Sequence, residues 1–446
     1  MTFLPDLQSR LDEAARRHGV PGAAIAVGAG PDLAEAATGV VNLDTGVKTT
    51  VDSVFQIGSV TKLWTASLVM QLVDDGLVDL DAPVRRYLPD FAVPDAAASE
   101  TVTARHLMSH TAGFAGDLFE DTGRGDDALD RYLAYLHTGA TQVSAPGELF
   151  SYCNSGWCVL GALVARLRGG TWESVLRERL IGPLGVTHMA LFAEEAILFR
   201  TSAGHLNGRV FREWLLPRSN APAGSMPWAA PRELVRFGRM FLADGVAGDG
   251  ARVLPAGTFA TMREPQVAQP PMSERAATAQ GLGFALYEWD GVPVVGHDGG
   301  TPGQSTCLRI VPDRGVVVAV NTNGGAAGAL FDDLLTAVLA EVAGLRVPPR
   351  PLPPAEPVPF RPDGFAGRFD GPLEAYEVAA DDAGLDVTTI PKQLLTDAGE
   401  RPATTRYVAL GGDRFIATEP ADGVHPMLAF IDNGRYLYNS RLLPRV

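Results

Sequence analysis

Between Arg346 and Pro362 the chain reads RVPPRPLPPAEPVPFRP, with a proline at nearly every second position. Proline holds φ at about −65° and carries no N–H, so neither a helix interior nor a central strand can run through this stretch. Such a composition favours an extended, semi-rigid connector. No element is then shared between the chain before it and the chain after it. The expected organisation is a large unit over 1–346, a linker over 347–362 and a small unit over 363–446.

The large unit opens with an amphipathic helix over 5–18, with Leu4, Leu7, Leu11 and Ala15 on one face and Pro5 in its first turn. The run Ala23-Ala24-Ile25-Ala26-Val27 reads as a buried strand. Helical periodicity follows at 60–76, 128–138, 155–168, 172–180 and 231–243. Strand character returns at 292–296, 304–311 and 316–322, and a helix over 326–343 closes the unit. Strands at both ends with helices between them imply one sheet, closed by the two termini, with a helical insertion and a cleft where the parts meet. The small unit alternates short strand-like runs, such as 406–410, 414–417 and 428–431, with Asp-Gly, Gly-Gly and Asn-Gly turns. That is the pattern of a small all-β barrel or sandwich.

Composition excludes some functions. The net charge of −15 argues against a nucleic-acid partner, which needs a basic face. No run of 18 apolar residues suggests a membrane span. The N-terminal sequence has acidic residues and no apolar signal region, so a cytoplasmic location is expected. Cys153, Cys158 and Cys307 are too few for a disulfide framework and read as small buried residues.

Lysine is scarce: Lys48, Lys62 and Lys392 are the full set. Lys62 closes Ser59-Val60-Thr61-Lys62, the sole S-x-x-K, which follows Gly58 and opens a helical run. One helical turn puts both side chains on one face. A serine hydroxyl is a poor nucleophile until a base removes its proton, and a lysine whose pKa is lowered by burial can do so. The pattern alone is weak, since most such pairs are solvated surface residues.

The second motif is Tyr152-Cys153-Asn154. A tyrosine beside an ammonium can hold a lowered pKa and shuttle a proton. Asn154 can bind a substrate carbonyl or Lys62, or act as an N-cap residue. The third is His297-Asp298-Gly299-Gly300-Thr301, expected just after a strand. Glycines at such an edge admit close backbone approach, and the N–H groups of Ser59 and Gly300 suit an oxyanion hole. There is no G-x-S-x-G elbow, no H-E-x-x-H and no nucleotide fingerprint. His106 and His110 read as packing residues. No metal and no cofactor are expected.

Together the three motifs resemble the serine β-lactamase and penicillin-binding-protein superfamily, which orders S-x-x-K, Y-x-N or S-x-N, and K-T-G or a variant. Phe55-Gln56-Ile57-Gly58 and Leu107-Met108-Ser109-His110-Thr111-Ala112-Gly113 are further family-like strings. The resemblance spans about residues 5–345. It implies an α/β, β-lactamase/transpeptidase-like fold, an antiparallel sheet plus helical insertion, with Ser59, Lys62, Tyr152 and His297 as catalytic residues. Asn154, Gly299 and Gly300 are implied as substrate-binding residues. His297 stands where β-lactamases and most penicillin-binding proteins carry lysine. A largely neutral imidazole receives a carboxylate poorly.

With this histidine and a second, lipocalin-like β domain, the chain is most similar to penicillin-binding-protein-type thioesterases of nonribosomal peptide pathways. The resemblance implies macrocyclisation of a peptidyl thioester, which a carrier protein would present. It also implies that Arg441, an arginine of the β domain pointing into the cleft, binds a carbonyl or carboxylate of the substrate, with Arg445 as the alternative candidate. Two other readings stay open: an esterase or D-amino-acid peptidase of the same superfamily, and a catalytically silent ligand-binding relative.

Overall fold

The computed structural model describes residues 3–213, 215–356, 358–397 and 399–446. The large unit is built on strands β1 (Gly22–Ala29), β2 (Asp32–Gly39), β3 (Ala285–Trp289), β4 (Val292–Thr301), β5 (Gln304–Val311) and β6 (Val316–Thr322). They form one antiparallel sheet in the order β2-β1-β6-β5-β4-β3, continued by the short strands Ala279–Gln280 and Val267–Ala268. The first and last strands of this unit, β1 and β6, are therefore neighbours.

Its main helices are α1 (Leu7–Arg17), α2 (Thr61–Asp74), α3 (Asn154–Arg168), α4 (Pro231–Leu242) and α5 (Ala327–Ala343). Strand β6 shows why the sequence there is continuously apolar. Val317 and Ala319 enter the core shared with α2, α3 and α4. Val316, Val318 and Val320 enter the core shared with α1 and α5. Side chains alternate across a strand, so a sheet covered on both faces needs apolar residues at every position. Trp64 of α2 stacks on Phe237 of α4 with ring centroids 3.9 Å apart, which fixes α2 over the sheet.

Three local expectations change. Helix α1 begins at Leu7, so Pro5 lies before it. The helix expected over 172–180 is Trp172–Leu176 followed by a wider turn over Arg177–Ile181. Strand β4 runs on to Thr301, so the third motif lies inside a strand instead of after one. The pairing of Gly299 and Gly300 with Thr306 and Ser305 extends the ladder, a contact that local propensity does not encode.

Helix α5 is capped by Gly344, which takes φ +60°, and from there to Pro362 the described residues form no helix or strand. Within this connector Pro357 lies outside the described residues. Eight strands follow: β7 (Gly367–Asp370), β8 (Glu374–Asp381), β9 (Gly384–Pro391), β10 (Ala403–Gly411), β11 (Arg414–Ala417), β12 (Met427–Ile431), β13 (Tyr436–Tyr438) and β14 (Leu442–Pro444). Each pairs with the next. A bridge between Phe369 and Arg445 brings β14 back to β7, giving an up-and-down barrel around Phe365, Phe369, Phe415 and Phe430. This is the lipocalin-like β domain, and it follows a β-lactamase-like α/β domain. Among the described residues no helix is long and apolar enough to cross a membrane.

Candidate active site

Ser59 sits in the tight turn Gly58–Val60 that leads into α2. Gly58 has φ +51°, and a Cβ on it would lie 2.5 Å from the Gly300 nitrogen. A Cβ on Gly299 would lie 2.0 Å from the Ile57 carbonyl oxygen. Two backbones thus touch at Ser59, and only glycine fits at these positions. Gly299 and Gly300 line the same cavity as Ser59, with a volume of about 410 Å³.

Lys62 lies one turn further along and has no solvent exposure. Its Nζ is 2.8 Å from Ser59 Oγ, 2.7 Å from Asn154 Oδ1 and 2.7 Å from the Ala223 carbonyl oxygen. Ala223 ends the short helical segment Arg218–Ala223, which Thr65 of α2 anchors by donating to the Pro222 carbonyl. Burial lowers the Lys62 pKa from 10.5 to about 7. Smaller influences are Arg441, which lowers it further, and Cys158, Asp117 and Cys153, which raise it. A neutral amine has two N–H groups and one lone pair. Two of its neighbours are carbonyl oxygens, which only accept. They take the two N–H groups, so the lone pair faces the one partner that carries a proton, the Ser59 hydroxyl.

Tyr152 lies beside this pair. Its hydroxyl hydrogen-bonds Ser59, and Lys62 Nζ is 5.0 Å from its ring centre. The expectation of a lowered tyrosine pKa fails. Burial outweighs the hydrogen bond and the nearby cation, and raises it above the ordinary phenol range. Tyr152 is a neutral phenol here. His110 stacks on it at 4.4 Å between centroids and accepts the Cys153 N–H at Nδ1, 2.9 Å away.

Asn154 does not cap its helix. Cys153 does, its sulfur accepting from the Gly156 N–H at 3.3 Å. The Asn154 amide is thereby free to bridge two side chains. Its Nδ2 donates to Asp117 Oδ1 at 2.7 Å while its Oδ1 faces Lys62.

His297, on β4, is buried, and its Nδ1 lies 2.6 Å from the Asp298 carbonyl oxygen. A carbonyl only accepts, so Nδ1 carries the proton. Burial, reinforced by Lys62, lowers the ring pKa to about 4. His297 is therefore neutral, with a bare Nε2. It lines a second cavity of about 550 Å³ between the two domains, which also touches Tyr152 and Arg441.

The barrel reaches this cavity through its last strands. Ser440 accepts the Tyr152 N–H at 2.9 Å, the Leu442 N–H donates to Ser151 Oγ at 3.1 Å, and Tyr436 donates to the Val143 carbonyl at 2.9 Å. Phe150, Ala429, Tyr436, Tyr438 and Leu442 bury the interface. Arg441 lies over the Tyr152 ring at 4.8 Å, but its fork is engaged. Nε donates to Asp117 Oδ2 at 2.7 Å and Nη2 to Oδ1 at 3.3 Å. It is thus no free cation awaiting a substrate carboxylate. Arg445 lies elsewhere, over the Phe369 ring, with its guanidinium on the Gly364, Ala366 and Gly434 carbonyls.

Asp117 and Ala223 are the site residues that sequence reasoning misses. Ala223 acts through its backbone, which leaves no sequence signal. Asp117 leaves a faint one, a lone carboxylate in Phe114-Ala115-Gly116-Asp117-Leu118-Phe119.

Residues 7–342 match the Beta-lactamase family. Penicillin-binding protein 4 of Amycolatopsis lactamdurans is 47% identical over 371 residues, covering 81% of this chain and 96% of that protein. The crystal structure of SurE with D-Leu is similar with a TM-score of 0.76 and 30% identity, over 99% of this chain and 98% of that one. Esterase EstB of Burkholderia gladioli is 33% identical over 204 residues, 42% of this chain and 52% of EstB.

Proposed function

This chain belongs to the β-lactamase and penicillin-binding-protein superfamily, and from that membership we propose that it is a stand-alone thioesterase that off-loads and macrocyclises a nonribosomal peptidyl thioester through Ser59. Acyl transfer by a serine enzyme, as hydrolase or acyltransferase, is the general activity of these relatives and of this chain. The contacts of Ser59 with Lys62 and Tyr152 support the following course. The Ser59 proton passes to the Lys62 lone pair as Oγ adds to the thioester carbonyl. The Ser59 and Gly300 N–H groups receive the oxyanion, a donor of this kind being worth about 3–4 kcal/mol in the transition state. The C–S bond breaks, and the proton reaches the departing sulfur through the neutral Tyr152 hydroxyl. The peptide's own amine then attacks the acyl-enzyme and gives its proton back along the same path, restoring Ser59.

The observation that carries the cyclase reading is the barrel set against the cleft through Ser440, Arg441 and Leu442. A covered cleft disfavours water, and a folded-back amine at an effective molarity of roughly 10⁵ M or more outcompetes it. The neutral His297 supports the same reading, because it offers an acceptor to an N–H group where a lysine would attract a carboxylate. SurE was crystallised with D-Leu, and a D-configured acyl residue is the substrate to try first. Likeness to EstB favours a second reading, hydrolysis of a simple ester. The test is incubation with peptidyl thioesters of several lengths, with cyclic and linear products counted by mass. Cyclic product that vanishes in Ser59→Ala is expected. Linear product alone at every length would assign hydrolysis instead.

A further inference from the structure

Asp117 and Arg441 are 324 residues apart in sequence, and neither touches Ser59 or Lys62 by a hydrogen bond. Their pair nevertheless ends on the amide that touches Lys62. Asp117 Oδ1 accepts from Asn154 Nδ2 at 2.7 Å, and Asn154 Oδ1 stands 2.7 Å from Lys62 Nζ. We propose that Asp117 and Arg441 are positioning residues for Lys62, so that the barrel domain is a working part of the catalytic machinery as well as a cover.

The argument is one of donors and acceptors. An asparagine amide has nearly the same shape when its oxygen and nitrogen exchange places. Flipped, Asn154 would turn its NH₂ toward the lysine, which itself needs acceptors. An ionised carboxylate only accepts, so Asp117 demands the Nδ2 end and leaves Oδ1 for Lys62. With that oxygen and the Ala223 carbonyl holding the two N–H groups, the lone pair of the neutral amine is aimed at Ser59. Asp117 thus sets the direction of the base without touching it.

Charge supplies the second half. A bare carboxylate beside Lys62 would favour the ammonium form, which is no base. Asp117 is buried, so water screens it little. Arg441 both clamps the carboxylate with two N–H groups and balances its charge. The other titratable groups around Lys62 are Tyr152, Cys153 and Cys158 on or beside α3, His110 on the preceding loop and His297 on β4. None of them cancels an anion at neutral pH, since the thiols and the phenol are neutral and both imidazoles are held below their ordinary pKa.

This inference rests on Lys62 acting as the base for Ser59, and the experiment separates the two. Full-length wild type, Asp117→Asn, Arg441→Met and Arg441→Lys are assayed with a fluorophosphonate probe and an activated ester between pH 5.5 and 9.5, beside melting curves. For Arg441→Met the acidic limb of the rate profile should move up by about one pH unit, because an unbalanced anion is left near Lys62. For Asp117→Asn it should move down, because an unbalanced cation is left. Both should lower kcat about ten- to a hundredfold with little change in KM, the scale of a misplaced base. Arg441→Lys should recover the wild-type limb. A structural role alone would lower the amplitude without moving the limbs in opposite directions. Unmoved limbs in both charge variants, with wild type labelled normally, would overturn this inference. Wild type that takes no label would overturn the acyl-enzyme reading itself. If Arg441→Met melts early, Asp117→Asn and Arg441→Lys still decide the matter.

Discussion

Lys62 Nζ lies 2.8 Å from Ser59 Oγ although Lys62 is wholly withdrawn from solvent. A lysine in water is a cation and cannot take a proton from serine. Lowering its pKa from 10.5 to about 7 makes the neutral amine available under ordinary conditions. A shift of that size corresponds to a folding penalty on the order of 5 kcal/mol at low pH, at about 1.4 kcal/mol per pKa unit. Burying this one amine therefore costs stability, a cost that the proposed role as a base would explain.

The rate of acylation should follow the neutral form of Lys62. kcat/KM is expected to rise with pH through about 7 and then level off. His297 contributes nothing in this range, since it is already neutral above about 4. A pH–rate profile on an activated ester measures this, and a flat profile between pH 5.5 and 8.5 would remove Lys62 as the base.

Stability should show the same group with a worked-out sign. Folding holds the Lys62 pKa below its unfolded value, so the unfolded chain binds more protons between about pH 7 and 10.5. Stability from this residue therefore rises with pH over that window and is lowest below it. Replacing Lys62 with Met removes the penalty and leaves the Asn154 and Ala223 oxygens without their donor. The difference in Tm between Lys62→Met and wild type should move in favour of the variant as pH falls from 10 to 6. A difference independent of pH would contradict the lowered pKa.

Tyr152 and Lys62 both contact Ser59, and under the proposed mechanism they serve one proton path. Tyr152→Phe and Lys62→Ala are each expected to slow acylation by about a hundredfold or more. The double variant should be little worse than the slower single one. Additive losses in the full cycle would indicate separate paths. Ultraviolet titration is a further check, since the raised pKa keeps Tyr152 protonated through the ordinary phenol range.

His297 should steer the enzyme away from carboxylate-bearing β-lactams. Its Nδ1 proton is committed to the Asp298 carbonyl, and the ring carries no charge near neutral pH. Cephalosporin hydrolysis is expected to be at least about a hundredfold poorer in kcat/KM than turnover of an activated D-configured peptidyl ester, the scale of a lost charged contact. His297→Lys should narrow the gap. Specificity constants in the reverse order for the native protein would refute this.

Much of this protein is legible in its amino acids alone. The proline-rich stretch separates two units because proline cannot join a helix or a central ladder. Apolar runs and turn residues locate α2, α3, α5 and the strands β1, β4, β5, β6, β10, β11 and β12, since a buried segment must be apolar wherever it faces a core. Strands β2, β3, β8 and β9 are interrupted by acidic residues and do not stand out. Ser59 and Lys62 are legible for the same local reason, one turn of helix. Folding supplies everything that depends on partners far along the chain. Lys62 and the Ala223 carbonyl are 161 residues apart, and Asp117 and Arg441 are 324 apart. A nearby cation argues for a lowered Tyr152 pKa, yet burial by His110, His297 and the barrel raises it. An arginine near a chain terminus is usually solvated, yet folding brings a buried carboxylate to the fork of Arg441. Spacing along a chain encodes faces and turns. Solvent exclusion and charge pairing arise only once distant segments have met.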